Sequence, residues 1–213
     1  MASSPACTSE SSRAADAPVE AVLPATAHAT RDLIAILHLA YSGELAAGLA
    51  YRGHWKSLAD SDERRRVREV EEEEWHHRVL VGVMLREMGE SPRRIREARA
   101  WTIGRTLGLL CHVSGWLAPM YGAGKLESRN VREYEAAARH ARDCGRREWV
   151  DCLLTMAEVE WEHEAYFRGR VLSHRLGRRL RLWPAPPPKA TIRESFERDG
   201  EPRQDSRLAG GRT

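Results

Sequence analysis

Glu74 with His77 and Glu160 with His163 are two Glu-x-x-His pairs set in matching stretches, "EEEWHHRVL" and "EVEWEHEAYF". A carboxylate and an imidazole three residues apart share one side of a helix, so both can ligate the same cation. The first stretch also offers Glu73 with His76 in a neighbouring register. Apolar periodicity chooses between the two. From Glu74 the face reads Val67, Val70, His77, Val81, Met84 and Met88, whereas from Glu73 it reads Arg66, Glu69, His76 and Leu80. The second pair lies on the stripe Leu153, Met156 and Phe167. Glu74/His77 and Glu160/His163 are expected to point inward, and Glu71, Glu73 and His76 to be solvated.

A buried carboxylate is costly unless it is paired or bound to a cation. Other acids on apolar stripes therefore matter. Glu44 lies among Leu37, Tyr41, Gly48 and Tyr51, and Glu127 among Met120, Ala123, Val131 and Tyr134. Gly43, Gly48 and Gly124 beside them lower helix propensity, which suits close helix approach or room for a ligand. One Glu from each of two helices plus Glu-x-x-His from each of two more is a ligand set for a metal pair. Two divalent ions roughly 3.5 to 4 Å apart need carboxylates between them, and imidazole suits iron or manganese.

Four long helical segments are expected to position these groups. Helix A runs from about Arg31 to Leu58, B from Asp62 to Met88, C from Ile103 to Cys144, and D from after Gly145 to His174. Asp60 or Ser61 can cap B, and Gly89 can end it. Pro119 and the glycines at 122 and 124 are expected to kink or break C. The longer connection 89–101, beside two tight turns, suggests an up-down bundle with one crossover. Measured from the turns at a rise of 1.5 Å per residue, Glu44 and Glu74 lie roughly 21 to 24 Å along their helices, and Glu127 and Glu160 roughly 27 and 22 Å. The six groups can converge on one layer. The expected architecture is all-α: a four-helix bundle over 26–183 with a dinuclear site in its core. Residues 1–25 are Ser-, Ala- and Pro-rich and expected to be disordered. Residues 184–213 form a Pro-rich, charged tail with one short helix near 190–197.

The chain of 213 residues suffices for one well-buried domain plus tails. A formal charge of +3 implies no polyelectrolyte partner, nucleic acid included. Of 34 basic residues only Lys56, Lys125 and Lys189 are lysines, which is read as codon bias. No unbroken apolar run reaches the roughly 20 residues of a membrane span, and the N-terminus has no secretory pattern. Four cysteines without a C-x-x-C pair suggest neither a zinc knuckle nor a disulfide framework. A reduced, cytoplasmic protein is expected, with peripheral membrane contact as a variant. Trp101, Trp116 and Trp161 are expected to pack in the core or at helix ends. Leu107, Leu110, Ser114, Leu117 and Tyr121 make an apolar face, suited to packing, a bilayer or an apolar channel.

"GELAAGLAYRG" at 43–53, "EWHH", "LESRNVREY" and "EWEH" occur in one order across residues 31 to 173. In these motifs the chain resembles the ferritin-like di-iron carboxylate superfamily, most closely its demethoxyubiquinone hydroxylase branch. The resemblance implies a ferritin-like four-helix bundle holding two iron ions, with manganese an alternative. It implies that Glu44, Glu74 and His77 serve mainly one metal and Glu127, Glu160 and His163 the other, some carboxylates bridging. Tyr51 and Tyr134 are candidates to support these ligands. Two features depart from that branch. Glu133 stands before Tyr134 where a His is usual, and "SHRLGRRLRLWPAPPP" follows helix D in place of further apolar helix. The activity implied is activation of dioxygen to hydroxylate or oxidise a small apolar substrate, quinone-like among the options, with an external electron donor. The alternative is a rubrerythrin- or ferritin-like protein that reduces peroxide or oxidises and stores iron, in which case a homo-oligomer is expected.

Overall fold

The computed structural model describes residues 19–200, with side chains from residue 25 onward. Regular structure among them is entirely helical: α1 (Val19–Ser57), α2 (Ser61–Glu87), α3 (Arg94–Leu110), α4 (Leu117–Asp143), α5 (Val150–Ser173) and α6 (Ala190–Gly200). Of the N-terminal segment expected to be disordered, residues 1–18 lie outside the described residues. Residues 19–25 instead begin α1, well ahead of the expected start at Arg31.

α1 and α2 form one hairpin and α4 and α5 another, joined through contacts between α1 and α4. Asp60 starts α2, its Oδ1 accepting the backbone N–H of Asp62 and Glu63 at 3.0 and 2.9 Å. α2 and α4 stop in the same way. Gly89 and Gly145 take φ of 75° and 86°, and the next N–H reaches back to the carbonyls of Leu85 and Ala141 at 2.9 and 2.8 Å.

The expected single helix C is two helices, and its break is elsewhere. The chain leaves helix at 111–116, where Gly115 has φ 75°, rather than at Pro119 or Gly122. Pro119 sits in the first turn of α4, where a missing N–H costs nothing. The crossover connection is itself mostly helix, because α3 begins at Arg94 and packs against α1. Glycines permit that contact. A Cβ on Gly53 would lie 2.2 Å from the Gly108 carbonyl oxygen, and one on Gly104 would lie 2.5 Å from that of Ala46.

Two apolar clusters occupy the core. One includes Leu33, Leu37, Val81, Leu85, Leu153 and Met156. The other includes Tyr51, Val67, Val70, Met120, Phe167 and Val171. Each fully buried Leu or Phe contributes roughly 1.5 to 3 kcal/mol. Along every one of α1, α2, α4 and α5, the inward Glu falls between the two clusters, so apolar packing above and below fixes one polar layer.

The segment after α5 does not trail away. Trp183 is buried against Gly124 and donates from Nε1 to Glu164 at 2.7 Å, while Trp161 donates to the Pro187 carbonyl at 2.7 Å. α6 seats Ile192 in the first cluster, and Arg193 pairs with Asp151 and Glu158 at 2.7 Å. Residues 184–200 of the expected tail are thus a strap and helix packed on the bundle, and 201–213 lie outside the described residues. Trp101, expected to pack, is 53 % exposed. By length and composition, Ala25–Ser57 of α1 could cross a bilayer, although the sequence shows no unbroken apolar run of that length. Half of its most apolar window is buried inside the protein.

Candidate metal centre

Glu44 comes from α1, Glu74 and His77 from α2, Glu127 from α4, and Glu160 and His163 from α5. All six are buried. Their ligand atoms fall into two groups, each within 4.8 Å: Glu44, Glu74, His77 and Glu160, and Glu74, Glu127, Glu160 and His163. Glu74 and Glu160 belong to both groups. Each group could hold a cation, and the two groups share two carboxylates and have one imidazole apiece.

Electrostatics show why this cluster is unbalanced as protein alone. Burial drives the carboxyls of Glu74 and Glu127 well above their ordinary range, with the neighbouring carboxylates adding to it. Burial raises Glu44 as well. Burial opposes ionisation of Glu160 too, but His163 and His77 more than offset it and hold that carboxyl well below the usual range. His77 Nδ1 lies 2.9 Å from Glu160 Oε1. Burial by itself would lower His163, yet Glu160 and Glu73 push it up to about 9. Crowded acids are kept partly protonated and imidazoles partly cationic, so protons stand where positive charge is needed.

The residues fit a pair of divalent ions. Both oxygens of Glu74, Glu44 Oε2 and His163 Nδ1 are buried without a hydrogen-bond partner. Such atoms cost roughly 1 to 3 kcal/mol each, more when charged. Four carboxylates and two dications sum to zero charge, −4 + 4, with both imidazoles neutral. The donor set of carboxylate and imidazole suits iron or manganese and contains no thiolate.

A surrounding shell fixes the ligands. Tyr51 Oη donates to Glu127 Oε1 and Tyr134 Oη to Glu44 Oε1. Burial, then the adjacent carboxylates, raise both phenols well above their ordinary range, so both stay protonated donors. Asn130 Nδ2 donates to Glu127 Oε2 at 2.9 Å and to Glu160 Oε2 at 3.4 Å. Glu73 Oε2 lies 2.6 Å from His163 Nε2, leaving His163 Nδ1 to face Glu74 and Glu160 at 3.4 and 3.7 Å. An imidazole held by an outer carboxylate is oriented and made a more basic ligand.

Two expectations are corrected here. Glu73 is half-buried and holds a candidate ligand, rather than being a solvated charge. Glu71 is buried, accepting from Arg52 Nε, Trp55 Nε1 and Trp75 Nε1 at 2.7, 2.6 and 3.0 Å. His76 is exposed, as its register implies. Asn130 was missed although it lies one turn from Glu127 on the same face. Glu73 had no local signal, because its partner comes from a different helix.

An apolar cavity of about 470 Å³ adjoins the layer. Tyr51, His54, Leu107, Leu110 and Ala123 are among its walls, so it lies between α1, α3 and α4. Leu107, Leu110 and Ser114 of the face expected from sequence are in the wall. Tyr51 thus touches both the cavity and Glu127. His54, stacked with Tyr51 and Phe167, is depressed by burial to about 4 and is neutral at physiological pH. In comparisons with known proteins, the chain matches no family model, no curated protein and no solved structure.

Proposed function

We propose that this protein is a dinuclear non-haem iron oxidoreductase of ferritin-like architecture that activates dioxygen and hydroxylates or oxidises an apolar organic molecule. The observation that carries this reading is the pair of overlapping ligand groups sharing Glu74 and Glu160, with both Glu74 oxygens buried and without a hydrogen-bond partner. Two reduced iron ions held by these residues would supply electrons and open coordination positions for dioxygen, and an external electron donor would re-reduce them. Manganese satisfies the same donor set.

The chain's own residues would divide the remaining work. Glu73 orients His163, Asn130 spans Glu127 and Glu160, and Tyr134 steadies Glu44. The apolar cavity falls within the roughly 300 to 1,000 Å³ typical of small-molecule sites. Its walls are mostly apolar, and Leu107 and Leu110 stay 47 % and 48 % exposed at an apolar rim suited to a sparingly soluble substrate or a membrane surface. Tyr51 is the one ligand-supporting side chain that also lines the cavity. Through its hydrogen bond to Glu127 it ties the cavity wall to the candidate ligands.

The test is metal analysis of purified protein, then oxygen uptake by the Fe(II)-loaded protein with a reductant and a panel of apolar phenols and quinones. Substrate-dependent uptake above the buffer rate, abolished by Glu74→Ala, supports the reading. Turnover of hydrogen peroxide without organic substrate, or mineral growth in a cage-like oligomer, would establish the peroxide or iron-storage alternative instead.

A further inference from the structure

A second opening leads to the layer, and its chemistry differs from that of the apolar cavity. It lies between α1 and α4, holds about 150 Å³, and has Gly43, Glu44, Leu126, Arg129, Asn130 and Glu133 among its walls. Leu126 also lines the apolar cavity, so the two openings are neighbours along α4. Sites for organic ligands start at about 300 Å³. The smaller opening falls short of that, yet it has room for several waters.

Its floor is Glu44, buried and with Oε2 unpartnered. Asn130 in its wall donates to Glu127 and Glu160. Near its mouth Glu133, 25 % exposed, is paired with the more exposed Arg129 at 2.8 Å. Gly43 has no packing reason to be glycine, because a Cβ there would meet nothing within 4 Å. The missing side chain keeps the opening clear.

We propose that the α1–α4 opening is the port through which divalent cations load the centre. Glu133 draws the ion from solvent, Arg129 is its counter-ion while the port is empty, and Glu44 is the first ligand met. This rests on the dinuclear reading and adds to it a route and an order. Organic substrate and metal then reach the same layer through two separate openings.

Metal-free full-length protein is mixed with excess Co(II) by stopped flow without oxygen. Loading is followed by the cobalt absorbance, and final metal content is measured at equilibrium. Gly43→Leu fills the port while raising helix propensity, and Gly122→Leu is the matching change on the apolar cavity, where a Cβ likewise meets nothing within 4 Å. Glu133→Lys reverses the charge at the mouth. Gly43→Leu and Glu133→Lys should each slow loading about tenfold with unchanged final content, and the Glu133 effect should fade with added salt. Gly122→Leu should load at the wild-type rate. Wild-type rates in both Gly43→Leu and Glu133→Lys, or slowing by Gly122→Leu alone, would overturn the port. A wild-type protein that takes up no Co(II) would overturn the metal centre itself, a different result from the first.

Discussion

Replacing Glu74 by Gln should stabilise the metal-free protein and destabilise the metal-loaded one. Without metal, Glu74 is buried among Glu44, Glu160 and Glu127, each of which raises its proton affinity. Gln cannot ionise and keeps nearly the same volume, so it removes the cost of holding an acid there, whether charged or protonated. With metal, Glu74 belongs to both ligand groups, so its loss weakens both ions together, whereas loss of Glu44 or Glu127 strips only one. Free metal at a hundred times its Kd contributes about 2.7 kcal/mol per site. In a domain of this size each site raises Tm by about 5 to 10 °C, so two sites raise it by roughly twice that. Calorimetric melts with and without anaerobic Fe(II) or Co(II) measure the effect, alongside metal content by elemental analysis. The wild type should show the full rise, and Glu74→Gln a higher metal-free Tm with little rise on metal addition. A Gln variant with a lower metal-free Tm and an undiminished metal-induced rise would refute the shared-carboxylate geometry and its electrostatics together.

Other outcomes follow from the same coordinates. Glu73→Gln should keep metal stoichiometry while lowering affinity about 10- to 100-fold in chelator competition, because it loosens His163 without removing a ligand; His76→Ala should do neither. His54 titrates near 4 when folded against 6.5 as its reference, so its contribution is intact above about pH 6.5 and lost as pH falls toward 4. That amounts to about 3 kcal/mol, and His54→Gln should flatten this acid limb in denaturant melts. Gly53→Ala would place its Cβ 2.2 Å from the Gly108 backbone oxygen, so it should cost about 1 to 3 kcal/mol in urea unfolding or shift α3 outward.

Helical content and the identity of the six inward-facing groups were legible because both are local. A 3.6-residue period assigns Glu74, not Glu73, to the apolar face whatever the neighbours are, and Asp60 and Gly89 bound α2 through bonds made within a few residues. Other features were settled by partners distant in sequence. Gly104 and Gly108 are four residues apart in an unremarkable segment, and only contact with Ala46 and Gly53 makes them a helix crossing. The break after Leu110 is likewise fixed by where α3 must leave α1 and α4 must begin, so Pro119 ended up harmless in a first turn. Trp183 and Ile192 turn a Pro-rich tail into packed structure by burying apolar surface against α4 and α5. Glu73 and Asn130 gain their place beside the centre only when α2, α4 and α5 are brought together. Sequence alone determined which carboxylates and imidazoles of the central layer leave the solvent. Tertiary structure decided how those side chains meet, since a hydrogen bond or a shared cation is a matter of ångströms between separate helices.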